Sequence, residues 1–183
     1  MIGMLLLALT LPRQAIGSEA FNVGSELQGL YEEISQATLQ FVTESDVDLF
    51  HDVLYTPDWV FVDATGQKHT WPQIREREVQ ALSEPPLIAM NQTIQTLSLT
   101  PEGATVVVNL TTVRTIVDAE GRYGRQSVRH TLTETTPFRD TWVKAPGNND
   151  NNDNNDDNAK WKLKSRQQIG RPTVAVDKPE SFE

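Results

Sequence analysis

Positions Leu27, Leu30, Tyr31, Ile34, Thr38 and Phe41 recur every three or four residues. That spacing predicts a helix with one buried face, turning Glu32, Glu33 and Gln36 toward water. Ser25 and Gln28 fit a capping box, so this helix is expected to open at Ser25. Val47, Phe50 and Leu54 predict a second helix capped by Ser45. Asp46 and Asp48 suit its first turn, where the helix dipole favours negative charge. Thr56-Pro57-Asp58 should end it. Residues 59–63 (Trp, Val, Phe, Val, Asp) then read as a short strand apolar on both faces, and Gly66 supplies a turn. Thr70 and Gln73 form a second capping box, opening a third helix whose first turn tolerates Pro72. Trp71, Ile74, Ala81 and Leu82 share a face of that helix, but so do Arg75 and Glu78.

Pro85-Pro86 closes the helical half, and the pattern changes. Residues 88–99 are rich in β formers. Residues 100–103 make a tight turn, and Val106, Val107, Val108, Val113, Ile116 and Val117 mark a long strand over 104–117. A glycine-bearing hairpin loop covers 118–124. Residues 126–144 form the next strand, with a bulge or bend expected at Pro137 because proline cannot donate to a ladder. The last strand spans 161–169. Residues 171–183 read as a loosely held tail, and the Asn/Asp run over 145–159 as a disordered hairpin tip with nothing apolar to bury.

Composition narrows the classes of function. The 183 residues suffice for one domain with a real core. A net charge of −9 argues against nucleic acid or anionic membrane as partner, since both need a basic footprint. The chain has no cysteine, which excludes disulfides, thiolate nucleophiles and cysteine metal sites. Residues 2–11 form an apolar run too short to span a bilayer but of the length of a signal-peptide core. Residues 1–20 are therefore expected to be a signal peptide, cleaved near Gly17 or Ala20, and the protein to be exported. No Lys or Arg precedes the run, which departs from the usual signal pattern. Residues 21–170 are expected to form the domain.

The order helix, helix, short strand, helix, then four antiparallel strands predicts an α+β fold with helices on one side of a bent sheet. With residues 58–63, Gly66, Thr70, Ile74, and the closing segments 140–144 and 161–163, the chain resembles the nuclear-transport-factor-2-like superfamily. That group includes SnoaL-like cyclases and ketosteroid isomerases, and the closing segments are most similar to its exported SnoaL-like branch. The resemblance implies a cone-shaped, strongly bent antiparallel or mixed sheet with three N-terminal helices on its concave side. It also implies an apolar pocket and a homodimer formed through the sheet.

Asp63 is similar in position to the general base of the ketosteroid isomerases. A carboxylate in an apolar pocket has its pKa raised toward useful values. The other reading is an Asp that caps its own turn through an Asx bond. The isomerase pattern would place a Tyr near Leu39 and an Asp near Gln126, and neither residue fits. His130, between Val128 and Leu132, is either a core histidine or an acid–base partner for Asp63. Arg129 or Arg114 could complete part of an Asp–Arg arrangement like that of the epoxide-hydrolase branch. Tyr55, Trp59, Phe61, Trp71 and Arg129 are the candidate ligand-binding residues. His69 is expected to be exposed, and His51 could face either way. Glu78 could pair with Arg75 or Arg77, or reach a pocket rim. No cofactor motif and no metal-ligand spacing occurs. The sequence thus favours an exported domain that binds a small apolar or amphipathic molecule. A SnoaL-type lyase or isomerase using Asp63, and a pure interaction domain, are the alternatives.

Overall fold

A computed structural model describes residues 13–118, 128–145 and 160–177. The Asn/Asp run beyond Ala145 and the loop after Asp118 lie outside the described residues. The first helix, α1, spans Arg13–Thr38 and does not start at Ser25. Val23 and Leu27 are both buried one turn apart, so the apolar face runs unbroken past Ser25 and no cap is needed there. Helix α2, Glu44–Leu54, is capped by Thr43 rather than Ser45. The Thr43 hydroxyl accepts from the Asp46 amide, and the Asp46 carboxylate accepts from the Thr43 amide. The cap falls two residues earlier than expected because Asp46 supplies the third-position partner of a box with Thr43. No helix among the described residues is long and apolar enough to cross a membrane.

Leu54 passes directly into strand β1, Tyr55–Val62. The strand absorbs Pro57 because its register with the neighbouring strand is irregular between Tyr55 and Val60, where no ladder donor is required. Strand β2, Lys68–Thr70, pairs back onto β1. Helix α3, Trp71–Ala81, follows with Pro72 in its first turn and the Gln73 side chain accepting from the Thr70 amide at 2.9 Å. Then come β3 (Leu87–Thr100), β4 (Gly103–Asp118), β5 (Val128–Ala145), β6 (Lys160–Gln168) and β7 (Thr173–Asp177).

The seven strands form one sheet of order β2-β1-β6-β5-β4-β3, with β7 pairing on β5 beyond the end of β6. All described pairings are antiparallel except β1 with β6, so the sheet is mixed. The three helices cover one face of the bent sheet, giving the expected α+β cone. Helix α1 lies on β3, and α2 touches α3, β1 and β6.

Two expectations about the strands fail for the same reason. Pro137 causes no bulge against β4, where it faces Asn109 in unbroken register. On its other side β6 ends opposite Phe138 and β7 ends opposite Thr135, so Pro137 sits in the gap where no partner asks for its amide. Residues 173–177 are likewise not a loose tail. They continue the edge of β5 that β6 leaves open, satisfying backbone groups with side chains that remain exposed.

Alternation along the strands places Ala104, Val106 and Val108 of β4 and Phe138 and Trp142 of β5 in the core beneath α1. Val23, Leu27, Tyr31 and Ile34 of α1 close it from above. The register also lines up one residue per strand across the sheet. Phe61 faces Arg166, Arg166 faces Asp140, Asp140 faces Val106, and Val106 faces Leu97. Residues directly opposite one another share a face, so this row carries an arginine and an aspartate into an apolar core.

Candidate functional site

The row ends under a cavity of about 300 Å³. Its walls come from α1, α2, α3 and the covered face of the sheet. Tyr55, Trp59 and Phe61 of β1 reach it because Trp59 and Phe61 lie two residues apart on one strand face. Trp71 and Ile74 enter from α3, Phe50 from α2, and Phe138 from β5. The aromatic wall is closely packed. Tyr55 lies 4.7 Å from Trp59 between ring centres, and Phe50 meets Tyr55 edge-on at 6.1 Å. His51 stacks on Trp71 at 3.9 Å with ring planes 13° apart. His51 is buried, and that burial lowers its pKa, which keeps the ring neutral against the indole. His51 therefore points inward and fixes one face of Trp71.

Beneath the aromatics runs a polar network. The Trp142 indole donates to Tyr31 Oη at 2.8 Å, and Tyr31 Oη donates to Asp140 Oδ2 at 2.7 Å. Arg166 grips Asp140 with two donors, Nε to Oδ1 at 2.9 Å and Nη2 to Oδ2 at 2.7 Å. Nη2 also donates to Gln92 Oε1 at 2.7 Å. The Gln92 amide donates to Ser35 Oγ at 3.4 Å, which donates to the Tyr31 carbonyl. Asp140, Gln92 and Trp142 are fully buried, so each polar group here must find a partner. Burial pushes the Tyr31 hydroxyl pKa up, with Asp140 adding to the rise, so the hydroxyl stays protonated and donating. Burial works against the Arg166 charge, but Asp140 more than offsets this and the guanidinium stays charged.

Two further polar groups face the cavity. Tyr55 lines it, and its hydroxyl has no protein partner among the described residues; burial raises its pKa. Glu78 lines the mouth and keeps much of its surface open to solvent. Protein atoms nonetheless crowd its carboxyl, and that desolvation raises its pKa while Arg166 opposes the rise. Glu78 does not pair with Arg75, which is held instead by Asp48 and Glu44 of α2.

Asp63 lies elsewhere. Its Oδ1 accepts from the amides of Thr65 and Gln67 and from the Thr65 hydroxyl, and its Oδ2 sits 2.9 Å from His69 Nε2. Asp63 does not line the cavity. The His69 bond first, then the Thr65 hydroxyl, hold its pKa well below the usual carboxylate range. A general base needs the opposite shift, so Asp63 caps its turn and ties β2 to β1. His69 is buried by that bond, not exposed. His130 faces Ile116 on the part of β5 beyond β6, eight residues past Phe138, or roughly 26 Å along the strand. It lines no part of the cavity, and its Nδ1 is buried with no partner among the described residues, Asp63 included. Arg129 pairs with Val117 through its backbone at the same far end of β5, and its side chain lies outside the described residues. Arg114 reaches Glu84 instead. The expected position near Leu39 is also superseded: the Tyr–Asp contact in this core joins Tyr31 to Asp140. Gln126 lies outside the described residues.

No family model matches the chain, and neither does any curated protein. Solved structures do. One is an NTF2-like protein of unknown function in nutrient uptake from Rhodospirillum rubrum, 20% identical, with a TM-score of 0.43, covering 76% of this chain and 93% of that one. Another is an uncharacterized protein with a cystatin-like fold from Caulobacter vibrioides, 16% identical, TM-score 0.41, covering 89% and 93%. A third is an NTF2-like protein from Cytophaga hutchinsonii, 16% identical, TM-score 0.35, covering 86% and 97%. The chemistry of the site rests on its own residues.

Of the candidate ligand-binding residues, Tyr55, Trp59, Phe61 and Trp71 meet in the cavity. Sequence reasoning missed Arg166, Asp140, Tyr31 and Gln92 as a unit. One signal was available. Asp140 alternates with Phe138 and Trp142 on an otherwise apolar strand face, and a charge at such a position needs a partner. Among the described residues, no group of three or more His, Asp or Glu is placed to hold a metal ion.

Proposed function

We propose that the protein binds a small apolar or amphipathic molecule in the cavity beneath α1 and α3. The supporting observation is an aromatic chamber of about 300 Å³ held open over one anchored guanidinium. That size lies at the lower end of ligand sites, which are mostly apolar with a few fixed polar groups. Tyr55, Trp59, Phe61 and Trp71 supply the apolar walls, while Arg166, Tyr55 and Glu78 supply the polar groups. Asp63 as a general base finds no support, because its carboxylate is engaged by its own turn and His69 and lies outside the chamber. Export and self-association belong to the same proposal. Cleavage at Gly17 or Ala20 falls before Val23, the first buried α1 residue among the described residues.

The test is a titration with small aromatic probes, read by the fluorescence of Trp59 and Trp71. Ile74→Trp fills the chamber from α3 and should weaken binding at least about tenfold with the fold retained by circular dichroism. Equal binding by the filled variant would overturn the proposal.

A further inference from the structure

Arg166 carries five N–H groups. Three are committed, one on Nε and two on Nη2, to Asp140 and Gln92. Two contacts to one carboxylate and a third to an amide fix the guanidinium plane, and the Phe138 ring lies 5.1 Å from its central carbon. Nη1 has no protein partner among the described residues. Arg166 lines the cavity, and its side chain is 13% exposed. The free edge of the guanidinium is therefore a donor preset at the floor of the chamber.

The donor's charge is already spoken for. Asp140 is completely buried against it, and the two formal charges cancel. The other charged groups of the lining are Arg77 and Glu78, adjacent at the mouth. Both are exposed, so solvent screens them. An anionic ligand would surrender its hydration to a site with no net positive charge. A neutral acceptor gives up far less hydration and still gains a hydrogen bond from a charged donor.

We propose that the chamber selects uncharged molecules presenting a carbonyl-type oxygen to Arg166 Nη1, and that Asp140 is the residue that makes it discriminate against carboxylates. This rests on the binding role proposed above and names the class of ligand. Tyr55, whose hydroxyl also has no partner among the described residues, lines the same chamber and offers a second donor.

Matched probes of one body separate the two ideas: naphthalene, 2-acetonaphthone and 2-naphthoate, titrated at pH 7 into the full chain. The ketone should bind at least about tenfold more tightly than either the hydrocarbon or the carboxylate. Asp140→Asn should reverse the order, favouring naphthoate, because Arg166 then stands uncompensated. Should that variant fail to fold, the double variant Arg166→Met with Asp140→Leu replaces the buried pair by apolar groups, a change that cores often tolerate. It should bind ketone and hydrocarbon alike. Naphthoate binding as tightly as the ketone to the native protein would overturn the selectivity while leaving the binding role standing. A ketone preference that survives the double variant would remove Arg166 as its source. Failure of all three probes to bind would overturn both.

Discussion

Asp63 shows how position alone can mislead about a residue's chemistry. The strand end and the turn place it where a catalytic carboxylate would stand, but its two oxygens face two amides, a hydroxyl and an imidazole. Each of those donors favours the ionised form. The folded pKa therefore lies below the usual 3.8. A depressed carboxylate pKa stabilises the fold at every pH above the unfolded value, and the contribution is lost as pH falls below 3.8 toward the folded value. Asp63→Asn should thus lower the melting temperature at pH 7 and flatten the acid limb of the stability curve. Probe binding should not change. A variant with native binding and a shallower acid limb confirms a capping role; a loss of binding with unchanged stability would return Asp63 to the site.

At the scale of elements, the helix starts were partly legible. Thr70 and Gln73 meet as their spacing predicts, because a capping box is local and needs no tertiary partner. The start of α2 was misplaced since Thr43 and Ser45 are both good caps by type, and only the path of the chain out of α1 decides between them. Thr43→Ala should cost about 1 kcal/mol in urea unfolding. Ser45→Ala, inside the helix, should cost little. The end of α2 was legible from Thr56-Pro57-Asp58, and the fold adds to it. Lys162 of β6 donates to the carbonyls of Asp52 and Val53, a cap supplied from more than a hundred residues away. Strand parity failed at one place that matters. Trp161 and Leu163 set an inward parity that predicts Ser165, but Lys164 is an extra residue in the pairing of β6 with β5 and turns Arg166 inward instead.

For the whole molecule, β7 closes an account that the sequence left open. Residues 131–135 of β5 extend past β6, and residues 173–177 supply their ladder. Truncation after Gly170 should speed amide exchange across 131–135, while the chamber, built on the opposite half of β5, keeps its affinity for aromatic probes. Hydrogen exchange followed by mass spectrometry reads the first outcome and fluorescence titration the second. A truncated chain that loses probe binding would mean that β7 supports the chamber through the length of β5.

The sequence by itself determined most of the element order, the fold class and four of the aromatics of the wall. Periodicity, caps and turn residues act over a few positions, and the aromatics come from two short segments, residues 55–61 and Trp71. Only the tertiary structure decided the polar floor. Tyr31, Gln92, Asp140 and Arg166 come from four elements and meet through strand register, one bulge and the docking of α1 on β3. A single-residue slip in any of those strands would point its polar side chain away from the core, and no pattern within one segment fixes a register between two.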